Sequence, residues 1–181
     1  MVMPTTPLME EHLVIKQMIK VINKELKRMD EEQTLNENFL EKVVEFIQLY
    51  SNKLHEGKEE EILFRELNKK DLEEDHQEMM QKLVVEHRWL REKVAALVNA
   101  KKDYFAGEKN ILQSIIDLLT EIADFYPRHL EKEDNEFFIA AMEYFSPEEK
   151  TAMLAEQRKF DQNLIHDHYK EQIEKIDKSI S

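Results

Sequence analysis

Four histidines and two glutamates in this chain have the types and spacing to hold metal ions: His12, His55, His87 and His129, with Glu59 four positions after His55 and Glu133 four after His129. Residues four apart on a helix share a face, so each pair presents an imidazole beside a carboxylate. The spacing alone carries little weight. With 39 acids among 181 residues, seven histidines meet an acid four positions on about 1.5 times by chance, and two such pairs occur. The weight lies in where the pairs fall, on apolar stripes that face an interior. A buried unpaired carboxylate costs several kcal/mol, and two facing each other repel. A pair of dications reverses that sign. Glu59 and Glu133 are therefore expected to bridge two ions, with the four histidines as terminal nitrogen ligands. Nitrogen and oxygen donors projecting inward from four helices suit two iron ions, and the same ligand types admit zinc or manganese.

The elements that must position these residues are helices. The chain has only 2 glycines and 4 prolines, and 36% of it is charged, a balance that leaves little for hairpins. A first helix is expected from Pro7 behind Thr6, with the stripe Leu8, His12, Ile15, Ile19, Ile22 and Leu26. Thr34 and Glu37 have capping-box spacing and open a second, with Leu40, Val44, Ile47, Ser51, His55, Glu59 and Ile62. A third, opened by Asp71 and Glu74, carries Met80, Leu83, His87, Leu90, Val94 and Leu97 and ends at Gly107. The fourth carries Ile115, Leu119, Ile122, Tyr126, His129, Glu133, Phe137 and Ala140. Ser146, Pro147 and Glu149 then signal a fifth helix. Its stripe is less clean, which places it outside a four-helix core. The linkers are short, so neighbours run antiparallel. The expected fold is all-α: one domain over 1–181, with an up-down four-helix bundle over about 7–143 and an additional C-terminal helix over about 146–178.

Depth along the bundle is consistent with a common site. His12 lies roughly 19 residues from its helix end, His55 roughly 18 from its start, His87 roughly 17 and His129 roughly 21, which at ~1.5 Å per residue puts all four within ~6 Å of one level. Two helix breakers lie beside the pairs. Gly57 sits between His55 and Glu59, and Pro127 precedes His129 by two residues. Propensity yielding where polar groups face inward is the mark of a site. The plainer readings are a solvent-facing Gly57 and a kink or helix start at Pro127. His76 reads as solvated, and His166 and His168 lie on the fifth helix. Glu60 and Glu61 fall off the stripe, on a solvated face. Met79, Met80, Phe137 and Phe138 read as core. No internal repeat is evident.

Composition excludes several functions. A net charge of -13 makes nucleic acid and anionic membrane surfaces poor partners. The absence of cysteine removes disulfides, thiolate zinc sites and iron–sulfur clusters. No apolar run approaches the ~20 residues of a membrane span. Met1 to Glu11 has neither a basic region nor an apolar core, so a cytoplasmic protein is expected. Nothing in the sequence names a protein partner.

The segments Leu54-His55-Glu56-Gly57-Lys58-Glu59-Glu60, Glu86-His87-Arg88 and His129-Leu130-Glu131-Lys132-Glu133-Asp134, with His12 near the start, resemble the hemerythrin-like cation-binding domain over residues 8–143. The stretch from Phe145 to Tyr169 looks like the tail of bacterial and archaeal members. The resemblance implies an oxo- or hydroxo-bridged di-iron centre held by His12, His55, Glu59, His87, His129 and Glu133, with an open iron position for dioxygen. The oxygen carriers have two histidines one turn apart on the third helix. Here the positions one turn either side of His87 are Leu83 and Arg91. The missing donor is then Glu56, Tyr126, His166 or water. Such a centre is expected to bind or sense dioxygen or a related small diatomic or peroxide. The alternative is an enzyme that scavenges peroxide or nitric oxide at the same site.

Overall fold

A computed structural model describes the backbone of residues 2–180 and the side chains of residues 2–164. Helix α1, Thr5–Glu32, buries Leu8, His12, Ile15, Ile19, Ile22 and Met29. It starts two residues before the expected Pro7, because Pro4 takes the cap and the Thr6 hydroxyl accepts the Met3 N–H at 3.2 Å. Gln33 turns left-handed at φ +52° and donates its N–H to the Met29 carbonyl, closing the helix. The second helix is capped by Asn36, whose side chain accepts the Phe39 N–H at 3.1 Å. Thr34, the expected cap, instead accepts a hydrogen bond from Arg28.

Helix α2 runs continuously over 37–67, α3 is Glu74–Phe105, α4 runs over 112–141, and α5 is Pro147–Ile180. Gly107, at φ +111°, follows the end of α3 in a conformation that costs glycine little. The Ser146 hydroxyl accepts the Glu149 N–H while the Glu149 carboxylate accepts the Ser146 N–H, the reciprocal box expected before α5. Helix α1 packs on α2 and α4, and α3 packs on α2 and α4, closing a ring of four. Helix α5 lies outside the ring against α2. Among the described side chains of α5, Met153 and Gln157 are buried, and Gln157 Nε2 donates to the Pro4 carbonyl at 3.0 Å.

Two of the helices depart from α geometry where the polar residues point inward. Helix α2 is π-helical over Ile47–Glu56 and Glu59–Phe64, and α4 over Glu133–Phe137. The stripe explains why. Ile47, Ser51, His55 and Glu59 follow in three steps of four, which in a regular α-helix at 3.6 residues per turn would carry Glu59 about 120° around from Ile47. The wider π turn rotates less per residue and keeps all four inside, and all four are buried. In α4 the same widening shifts the register, so Ala141 is buried in place of the expected Ala140. Helix α4 passes straight through Pro127, which is exposed and neither starts nor ends it.

The apolar core is divided in two. One cluster includes Ile15, Ile22, Val44, Ile47, Leu90, Val94, Leu119 and Ile122. The other includes Leu8, Ile62, Phe64, Leu83, Phe137 and Phe138. Between Leu8 and Ile15, Ile47 and Ile62, Leu83 and Leu90, and Ile122 and Phe137 lie the histidines and glutamates singled out above. The apolar layers on both sides enclose a polar layer about two turns long on α1 and α3 and about four on α2 and α4.

Candidate metal centre

The six expected residues converge. His12, His55 and His87 and the carboxylates of Glu59 and Glu133 are essentially inaccessible, and His129 is 3% exposed. All four imidazoles aim Nε2 at the middle of the bundle. His12 Nε2 and His55 Nε2 stand 3.0 Å apart. His12 Nε2 lies 3.3 Å from Glu133 Oε2, and His55 Nε2 lies 3.7 Å from Glu59 Oε1. Across the centre, His87 Nε2 lies 3.3 Å from Glu59 Oε2 and 3.6 Å from Glu133 Oε1, and His129 Nε2 lies 3.2 Å from Glu133 Oε1. Each glutamate therefore straddles the site, one oxygen toward the His12–His55 pair and the other toward the His87–His129 pair.

These separations fit a shared ion better than direct hydrogen bonds. Two donors each about 2.1 Å from one cation stand roughly 3.0–3.4 Å apart, depending on the coordination angle. Both oxygens of Glu59, both of Glu133 and His87 Nε2 are buried without a hydrogen-bond partner. Buried polar atoms are almost always paired, so five such orphans meeting at one point indicate a missing partner of positive charge. The donor set is nitrogen and oxygen only, which iron, zinc and manganese all accept.

Every outward-facing histidine nitrogen is held by a carboxylate. His12 Nδ1 is 2.7 Å from Asp134, His55 Nδ1 3.0 Å from Glu11, His87 Nδ1 2.8 Å from Glu60 and His129 Nδ1 2.8 Å from Glu86. A hydrogen bond of this kind fixes ring orientation and tautomer and leaves Nε2 free to bind a cation. Each carboxylate is in turn paired with a cation: Asp134 with Lys16, Glu11 with Lys58, Glu60 with Arg91 and Glu86 with Lys132. Aromatic rings fix the imidazole planes further, Phe138 stacking on His12, Phe64 on His87 and Phe125 on His129.

This outer layer reveals a repeat that the sequence reading missed. Glu11-His12 with Lys16 on α1 matches Glu86-His87 with Arg91 on α3. His55 with Lys58-Glu59-Glu60 on α2 matches His129 with Lys132-Glu133-Asp134 on α4. The two halves exchange partners in the same way, so the centre has approximate two-fold symmetry. Each outer carboxylate is the chain neighbour of an inner donor, which is the signal that could have found it. Glu60, expected on a solvated face, is one of these carboxylates. A residue beside a buried inner donor sits at the edge of its stripe and can reach the next helix.

A family model for the hemerythrin HHE cation binding domain matches residues 3–141. The chain belongs to that family. No curated protein and no solved structure matches it. The match spans α1 to α4 of this HHE domain and stops short of α5.

The other expected donors fare differently. Glu56 is buried beside the centre of the HHE domain, with Oε2 accepting from Arg91 at 2.9 Å and Oε1 unpartnered. Burial pushes its carboxyl up to about 8, against the pull of His87 and Arg91. Tyr126 is buried, but its hydroxyl is committed to Ser51 at 2.7 Å, and burial raises its pKa. The side chains of His166 and His168 lie outside the described residues. His76 is half-buried and bonded to the Tyr144 hydroxyl at 2.6 Å, not solvated as expected. Gly57 is not left open to solvent: a Cβ there would stand 2.8 Å from Phe160 Cζ, so glycine admits the close approach of α5.

Electrostatics within the cluster follow from its crowding. Burial by itself lowers the His12 imidazole, but the carboxylates of Asp134, Glu133 and Glu59 carry it up to about 9. Burial likewise lowers His87, and Glu133, Glu59 and Glu60 lift it well above its ordinary value. Burial would raise Glu133, yet the imidazoles of His129, His12 and His87 hold it well below the usual carboxylate range. Without a cation, protons on the imidazoles take over the neutralising role. Among the described residues, no helix is long and apolar enough to cross a membrane.

Proposed function

We propose that this chain is a non-haem di-iron protein that binds or senses dioxygen or a related small oxidant. His12 and His55 would hold one ion, His87 and His129 the other, and Glu59 and Glu133 would bridge them. The observation that carries this reading is the straddling of both carboxylates, each oxygen serving a different histidine pair. Two bound iron ions would supply reducing electrons and open coordination positions to a small oxidant.

The chain's own residues account for the remainder. His12 and His55 would offer one ion two nitrogens and His87 and His129 the other, each with two carboxylate oxygens from Glu59 and Glu133. Four such donors would complete a zinc site, whereas an ion preferring six would take up a small ligand besides. Asp134, Glu11, Glu60 and Glu86 orient the four rings. The two apolar clusters flank the polar layer on both sides. A carrier or sensor is the reading preferred to an organic-substrate enzyme, and a cytoplasmic setting would keep iron in the ferrous form.

The test is metal analysis joined to optical spectra, first on anaerobic ferrous-loaded protein and then after adding dioxygen. Two irons per chain with near-ultraviolet charge-transfer bands after oxidation are expected. Sub-stoichiometric metal, with folding indifferent to chelators, would overturn the proposal. Steady consumption of peroxide beyond one equivalent would move the assignment to a scavenging enzyme.

A further inference from the structure

Two buried cation positions would need a route to solvent, and two openings lie near them. A space of about 330 Å³ opens between α2, α3 and α5, lined by Asn52, Glu56, Gly57, Glu60, Arg91 and Phe160 among others. Two buried oxygens at this cavity have no partner, Glu56 Oε1 and Asn52 Oδ1. Both are acceptors on residues that line it, so the chemistry they lack is a positive charge or a donor. Glu56 itself is 1% exposed. One donor atom each of Glu56, Glu60 and His87 lies within 4.8 Å of the other two, which sets the cavity against the His87 ring. Arg91 Nη1 bridges Glu56 Oε2 and Glu60 Oε1 at 2.9 and 2.8 Å, and its side chain is 39% exposed. A guanidinium so placed is a resident cation with room to swing outward.

The other opening near the centre differs. It has about 570 Å³ beside His129 and is lined by Trp89, Phe125, Arg128 and Lys132 with Glu86, Glu121 and Asp124. Glu86 is paired with Lys132 and Glu121 with Lys93, and Asp124 is exposed to solvent. It offers an arriving cation no free buried oxygen.

We propose that the cavity at Asn52, Glu56 and Arg91 is the port through which a divalent transition-metal cation, the ferrous ion in the cell, reaches the two buried positions. Glu56 and Asn52 act as transit ligands, and Arg91 releases Glu56 and Glu60 as the ion passes. The inference rests on the two-metal reading and deepens it.

The test follows uptake of cobalt(II) by the metal-free full-length chain, using its visible absorption in a stopped-flow instrument, with final metal content measured separately. Glu56→Gln and Asn52→Leu are each expected to slow uptake about tenfold while wild type and both variants finish at two ions per chain. Glu121→Gln, at the other opening, is expected to leave the rate unchanged. Unaltered rates in both cavity variants, or slowing in Glu121→Gln alone, overturn the port. A fall in final content to one ion in Glu56→Gln also overturns it, because Glu56 is then a resident ligand. If wild type itself takes up no stoichiometric metal, the two-metal reading fails before the port is tested.

Discussion

Lys58 Nζ stands 2.8 Å from Asp161 Oδ1, so the charge next to Glu59 in the chain is shared with a helix outside the four-helix ring. The same ammonium pairs with Glu11, and Glu11 holds His55 Nδ1. Its two-fold mate, Lys132, pairs with Glu86 and keeps a quarter of its side chain in water. The approximate symmetry of the centre is thus broken where α5 covers Lys58.

That asymmetry sets a stability difference. Lys58 is fully buried, and removing one partner of a buried pair leaves an uncompensated charge, so Lys58→Ala should cost about 3–5 kcal/mol. Lys132→Ala at the more exposed station should cost about 1 kcal/mol or less. Denaturant melts of the two variants check this. Equal losses would mean that α5 does not seal Lys58 in solution.

Gly57→Ala places a methyl group 2.8 Å from Phe160 Cζ. Either Phe160 or α5 must move, at about 1–3 kcal/mol. Phe160→Leu in the same chain should recover part of the loss, and a double-mutant cycle by thermal or chemical unfolding reads the coupling. A helix-propensity effect alone predicts the opposite, because alanine is the better helix former by about 1 kcal/mol.

The two inner carboxylates are tested by removing them. Glu59 is among the carboxylates that lift the buried His12 and His87 imidazoles, so Glu59→Leu should destabilise the metal-free protein while those rings carry protons. It should also lose most of the bound iron, as should Glu133→Ala. Retention of both irons in either variant would refute the bridging role.

The outer carboxylates should behave as two equivalent pairs. Glu11→Gln and Glu86→Gln leave every inner donor in place but release the Nδ1 of His55 and His129. Metal affinity measured against a competing chelator should fall about 10–100-fold in each. No change in either would reduce these contacts to surface ion pairs.

Acid and base act on the metal-free protein from opposite sides. His12 is raised to about 9, so its stabilisation is complete below its ordinary 6.5 and is lost as the pH climbs through 9. Glu133 is depressed below its ordinary 4.5, so its contribution is present above that value and is lost as the pH falls further. Stability of the metal-free form should therefore be greatest between about pH 4.5 and 6.5 on these groups. Metal affinity should instead rise from pH 6 to 9, because each bound ion displaces imidazole protons. Unfolding curves and chelator competition across that range test both trends.

Much of this was legible in the residues themselves. Stripes at helical spacing fixed four core helices, and His12, His55, Glu59, His87, His129 and Glu133 stood out because polar side chains on apolar stripes need a reason to be there. Local chemistry dictates such features: periodicity, capping at Ser146 and Glu149, and the cost of burying a carboxylate. The tertiary structure alone decided the rest. Spacing could not reveal that α2 and α4 widen into π turns, although three steps of four from Ile47 to Glu59 were a hint, because the choice between α and π winding is settled by what the neighbouring helices bury. Nor could it pair Glu60 with His87 or Lys58 with Asp161. Those contacts join residues on different helices, and their partners are set by the rotation and depth of whole helices packed against one another.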